Sequence, residues 1–108
     1  MSLFYNVKGS SVSGGQATTE LVSPSIDYTV GSLLLVNIHD SAVATITLFI
    51  QNDPIDAASN TYEIAHGVVI PAGAALAFEQ PLVFNVPSTY GLYITVGSSD
   101  TVDVTVNT

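Results

Sequence analysis

The residues able to do chemistry are few and scattered. His39 and His66 stand among 12 Ser and nine acidic residues, so a serine activated by a His–carboxylate pair is the first reaction to weigh. Its frame is missing: no Gly-x-Ser-x-Gly elbow occurs, nor the strand–turn–helix context that such an elbow requires. His39 and Asp40 are adjacent, and adjacent strand residues point to opposite faces. They read as a surface histidine beside a turn aspartate. Asp53-x-x-Asp56 and Asp100-x-x-Asp103 offer hard oxygens to calcium, but calcium takes roughly six to eight of them and neither pair has EF-hand spacing. The two histidines match no transition-metal spacing. Glu63 and Glu79 could oppose one another across strands as a glycosidase pair, yet a domain this small rarely encloses the cleft that such a pair needs. Tyr28, Tyr62, Tyr90 and Tyr93 offer rings for stacking a sugar, without the larger face of a tryptophan. The expectation is a protein that is not an enzyme, with no catalytic, metal-binding or cofactor-binding residue. A carbohydrate-binding β-sandwich module is the remaining ligand chemistry.

The elements that would position these side chains belong to one domain. The chain has 108 residues, of which 47% are apolar, enough for a single core. Only 9% are charged, against about 25% in an ordinary domain. Nine are acidic and one, Lys8, is basic, giving a net charge of -8. Nucleic-acid backbones, polybasic membrane contacts and nucleotide phosphates all call for several Lys or Arg. No direct nucleic-acid partner and no membrane partner is expected. There is no Cys, hence no disulfide framework and no thiolate site. The start, MSLFYNVKGSS, lacks the apolar stretch of a signal peptide. Leu33-Leu34-Leu35-Val36 is far short of the ~20 residues that span a bilayer.

Val, Ile and Thr are abundant and good helix formers scarce, which favours strands. Ala44, Ile46, Leu48 and Ile50 alternate with Thr45, Thr47, Phe49 and Gln51. Val102, Val104 and Val106 alternate with polar residues, as do Leu92, Ile94 and Val96 with Tyr93 and Thr95. Period-two alternation predicts strands with one face in a core. Turn signals divide the chain into about eight strands, near 4–8, 17–23, 27–30, 33–39, 43–51, 62–70, 75–84 and 92–106, the last a hairpin closed by 97–100. Asp40-Ser41 reads as a tight connection, Ile70-Pro71-Ala72-Gly73 as a type I turn, and Pro81 as a bulge or an edge strand. The fold class is all-β, a single antiparallel β-sandwich or jelly roll. Residues 1–16 read as an N-terminal arm or first strand with a Gly/Ser-rich linker, and residues 17–108 as the sandwich.

With so little chemistry, interaction is the remaining role. Phe49 falls on the outer face of a long strand, and interface cores are poor in charge and rich in aromatics. The candidate interface residues are Leu3, Phe4 and Tyr5 of the N-terminal segment, together with Phe49.

The runs Leu34-Leu35-Val36-Asn37-Ile38, Ala44–Ile50, Ile64-Ala65-His66-Gly67-Val68-Val69-Ile70-Pro71-Ala72-Gly73, Phe78–Phe84 and Asp103-Val104-Thr105-Val106 occur in an order that resembles small virion proteins of tailed phages, particularly those of marine cyanobacteria. The match covers roughly residues 30–108. The resemblance implies a capsid decoration (cement) protein on the outer surface of the major capsid shell, with a tail, neck or fibre component as the alternative. It implies a virion location and, as partners, the major capsid protein or other virion subunits. A homo-oligomer, commonly a trimer in that role, is also implied. It carries no catalytic residue.

Overall fold

The computed structural model describes residues 2–9, 18–23, 28–51, 61–84, 90–97 and 100–108. They form ten strands: β1 (Ser2–Lys8), β2 (Thr18–Val22), β3 (Tyr28–Val30), β4 (Ser32–Asn37), β5 (Ala44–Gln51), β6 (Thr61–Ile70), β7 (Ala75–Phe78), β8 (Leu82–Phe84), β9 (Gly91–Val96) and β10 (Thr101–Asn107). One four-stranded sheet has the order β1-β10-β4-β7 and the other β2-β9-β5-β6, while β3 pairs with β8. All pairings are antiparallel.

The short β3–β8 ladder continues β4–β7. Tyr28 pairs with Phe84 and Val30 with Leu82, while Leu33 pairs with Phe78 and Val36 with Ala75, a register offset by one residue. Pro81 sits at that offset, on the edge of its sheet, where no ladder N–H is missed. Joined in this way, ten strands become the eight that the turn signals indicate. The chain passes between the two sheets at every connection except β5–β6, which is the winding of a jelly roll.

The alternation read from sequence sets the core. Val7, Val30, Leu33, Leu35, Val102, Val104 and Val106 face inward from one sheet, and Ala44, Ile46, Leu48, Leu92, Ile94 and Val96 from the other. These packed aliphatic side chains, the valines, leucines and isoleucines each contributing about 1.5–3 kcal/mol on burial, hold the sheets together.

Three local expectations are corrected. β9 and β10 do not form a hairpin: β9 lies between β2 and β5, and β10 between β1 and β4. The segment 97–100 therefore crosses between sheets. Asp40-Ser41 likewise belongs to a crossing from β4 to β5 that spans residues 38–43, longer than the tight connection expected. The turn after β6 is displaced by one residue, with Ala74 N–H donating to the Pro71 carbonyl at 3.0 Å. Gly73 takes φ +71° at its third position, the mark of a type II turn.

Residues 2–8 form the first strand and not a free arm, paired with β10 at seven consecutive positions. The expected linker and the boundary at residues 16–17 lie outside the described residues. Among the described residues no helix is long and apolar enough to cross a membrane.

Candidate functional site

The crossings β4–β5, β6–β7 and β9–β10 meet at one end of the sandwich, where the polar side chains converge. Asn37, the last residue of β4, is completely buried. Its Nδ2 donates to the carbonyls of Ala42 and Ile70, both at 2.9 Å, and its Oδ1 accepts from His39 N–H at 3.0 Å. One side chain thus fastens two of the three crossings. The third is held by Asp100, whose Oδ2 accepts from Thr45 N–H at 2.9 Å. His39 Nε2 accepts from Thr101 N–H at 3.3 Å and lies 3.9 Å from Asp100 Oδ1. That ring nitrogen is engaged with the main chain, so the cluster works as a clamp between loops.

Gly97 shows how tightly the clamp closes. A Cβ added there would run into the Asp100 carboxylate. Gly97→Ala is expected to push that carboxylate off Thr45 N–H and to cost about 1–3 kcal/mol, read as a lower midpoint in thermal melting. Asp100→Ser in the same chain should remove most of the additional loss, because the collision is gone.

The other candidate chemistry is not brought together. Asp103 lies on the outer face of its sheet, accepting from Asn6 Nδ2 at 2.7 Å, away from the clamp in which Asp100 is held. Asp53 and Asp56 lie outside the described residues. Glu63 is on β6, whereas Glu79 follows β7 in the other sheet, so the two do not oppose one another. Glu63 instead contacts His66 at 2.9 Å, both of them exposed. Among the described residues no three His, Cys, Asp or Glu side chains gather as a metal site. Tyr93 is 1% exposed, leaving Tyr62, 59% exposed, which lies 5.9 Å from the Tyr90 ring. The side chain of Tyr28 lies outside the description.

The four expected interface residues separate by exposure. Phe49 is on the outer face, as alternation places it, but it is buried and stacks on Tyr93 at 5.8 Å. Leu3 and Tyr5 are half-buried and pack against the core, the Tyr5 hydroxyl donating to the Leu21 carbonyl at 2.8 Å. Phe4 is 77% exposed. It begins a cross-strand row with Thr105, Leu34 and Ala77 on the outer face of the β1-β10-β4-β7 sheet, next to a row of Asn6, Asp103, Val36 and Ala75. Charge is sparse on this face: of the chain's ten charged side chains, the strands of this sheet carry Lys8 and Asp103. Sequence reasoning named Phe4 but missed Leu34 and Val36, whose outward setting becomes readable only once the strand partners are known.

Strand order and core together define an antiparallel jelly roll, and comparison with solved structures returns the same fold. The chain is similar to a chain of infectious bursal disease virus, Gx strain, with TM-score 0.55 and 14% identity over 99% of its length. It is also similar to VP2 in a subviral particle of that virus, with TM-score 0.50 and 16% identity over 97%. It spans only 30% and 32% of those two chains. PirA overlaps at TM-score 0.48 and 15% identity, covering 97% of this chain and 91% of that one. No family model matches the chain, and no curated protein matches it.

Proposed function

We propose that this chain is a virion structural protein, and more narrowly a decoration (cement) protein of a tailed phage, seated on the outside of the major capsid shell. The observation that carries the reading is the eight-strand jelly-roll order, in a chain whose fold is similar over nearly its whole length to part of a viral capsid protein. A charge-poor outer face adds support, since contacts between subunits favour such faces. In this reading the partners are the major capsid protein or other virion subunits, the location is the virion, and the role is structural and not catalytic. Each copy adds apolar contact area at about 25 cal/mol per Å², less the cost of association. Repetition over a symmetric shell makes small contacts sufficient. The net charge of -8 keeps the protein off the packaged genome.

Quantitative peptide mass spectrometry of purified particles tests this. A fixed simple ratio to the major capsid subunit is the expected result. A few dozen copies or fewer per particle would move the chain to the tail, neck or fibre, and absence from particles would end the virion reading. The exposed Tyr62 beside Tyr90 favours one second reading, a glycan-binding module. It predicts a rise in melting temperature with a sugar from a glycan panel, a rise that Tyr62→Ala abolishes.

A further inference from the structure

Among the described residues the two four-stranded sheets have four edge strands, and three of them are blunted. β2 carries an extra residue between Glu20 and Val22. β6 carries two extra residues relative to β5, one of them beside Gly67 at φ +60°. β7 is four residues long and is followed by the offset at Pro81. Bulges, proline, shortness and edge lysines keep an edge from pairing with another chain. The one such device on β1 is Lys8, at its last position. Of bulges, proline and shortness β1 has none: it runs for seven residues in unbroken register.

The direction of its free main-chain groups follows from one bond. Gly9 N–H donates to the Asp100 carbonyl at 3.0 Å, in the register that continues the β1–β10 ladder. Antiparallel ladders alternate, so odd-numbered residues of β1 turn their N–H and C=O toward β10. Ser2, Phe4, Asn6 and Lys8 turn theirs outward, toward the open edge.

We infer that β1 is a self-association edge, pairing antiparallel with β1 of a second copy about a two-fold axis at Tyr5. In that register Ser2 faces Lys8 of the partner subunit and Phe4 faces Asn6 of the partner subunit. With their symmetry mates these make four hydrogen-bonded pairs, each exchanging two bonds, and no outward group on β1 is left over. The two Phe4 rings become diagonal neighbours on one outer face, a distance that aromatic side chains span. The symmetric spacing of these outward residues about Tyr5 selects a second copy as the occupant, and charge permits it. Two chains of net charge -8 repel over most of their surfaces, but β1 carries Lys8 and no carboxylate. The two Lys8 side chains lie at opposite ends of the paired strands, about 20 Å apart, beyond the screening length of about 8 Å at physiological salt. An isologous pair of this kind closes at two copies. The inference stands independently of the virion reading.

Sedimentation equilibrium of the full chain at about 0.15 M salt, over a concentration series, tests it together with amide hydrogen exchange. The expected mass rises to twice that of one chain, and the amides of Phe4, Asn6 and Lys8 become protected in step with it. Phe4→Pro removes an outward N–H and the exposed ring while leaving the bonds to β10 in place. It should return the protein to one-chain mass with little change in melting temperature. A wild-type mass of one chain at every concentration would overturn the inference. So would a dimer whose Phe4, Asn6 and Lys8 amides exchange as fast as in the monomer. The exchange pattern of the wild type decides the matter even if the proline variant does not fold.

Discussion

Asn37→Leu should lower the stability of the protein by about 3 kcal/mol, the penalty for leaving a buried N–H and two carbonyls without their partner. The leucine fits the space roughly but offers nothing to the Ile70 carbonyl, which lies in the interior, or to the N–H of His39. Ala42 is exposed, so its carbonyl recovers water and contributes less. For a domain of this size the loss corresponds to a melting temperature lower by about 15 °C. Asn37→Asp separates shape from hydrogen bonding. It keeps the outline of the side chain but sets a carboxylate against two carbonyl oxygens. Burial and those oxygens both disfavour its charged form, so its carboxyl group titrates higher in the folded chain than in the unfolded one. The destabilisation is then complete above the folded pKa and shrinks as the pH falls through it. Melting curves of Asn37→Asp and wild type should therefore approach one another on acidification. Equal stability of the Asn37 variants and wild type at neutral pH would show that the side chain does not hold the crossings.

The second large effect contrasts two neighbours. Leu35→Ala should cost about 3 kcal/mol, within the usual range for a buried leucine. Leu35 is fully buried between Val104 and Leu76 on the flanking strands. Leu34→Ala, one residue away and on the other face, should cost less than about 0.5 kcal/mol, as surface substitutions usually do. Leu34 is 38% exposed. Urea unfolding gives both values, and an unchanged slope with a shifted midpoint would assign the difference to the native state. Comparable losses at the two positions would mean that the strand has a different register.

That contrast marks how far the sequence could be read. Alternation along Ala44–Ile50, Leu92–Val96 and Val102–Val106 carries each strand and its inward face, because side-chain direction is a local property with period two. Which sheet a strand joins is not local. Gly97–Asp100 could close a hairpin or a crossing with equal ease, and only the pairing of β10 with β1 and β4 decides between them. Phe49 shows the same limit, since its face was legible but its burial against Tyr93 depends on the neighbouring strand. Asn37 gave no signal at all. A lone asparagine at a strand end is ordinary until the carbonyls of Ala42 and Ile70 are seen to converge on it. The open edge of β1 was equally invisible, because the bulges that blunt β2 and β6 are differences in register between strands.

The central place of β10 in its sheet also orders events during synthesis. β1 emerges before the other nine strands, yet its ladder partner among the described residues is β10, the last of these strands to be made. Until residues 101–107 emerge, Leu3, Phe4 and Tyr5 lack the strand with which they pair. β4 and β7 form a pair with one side bare. Strand pairing over so long a separation is slow and leaves sticky intermediates. The sheet is therefore completed only once β10 has emerged, and a nascent chain stalled before residue 101 is the species that a chaperone would have to shield.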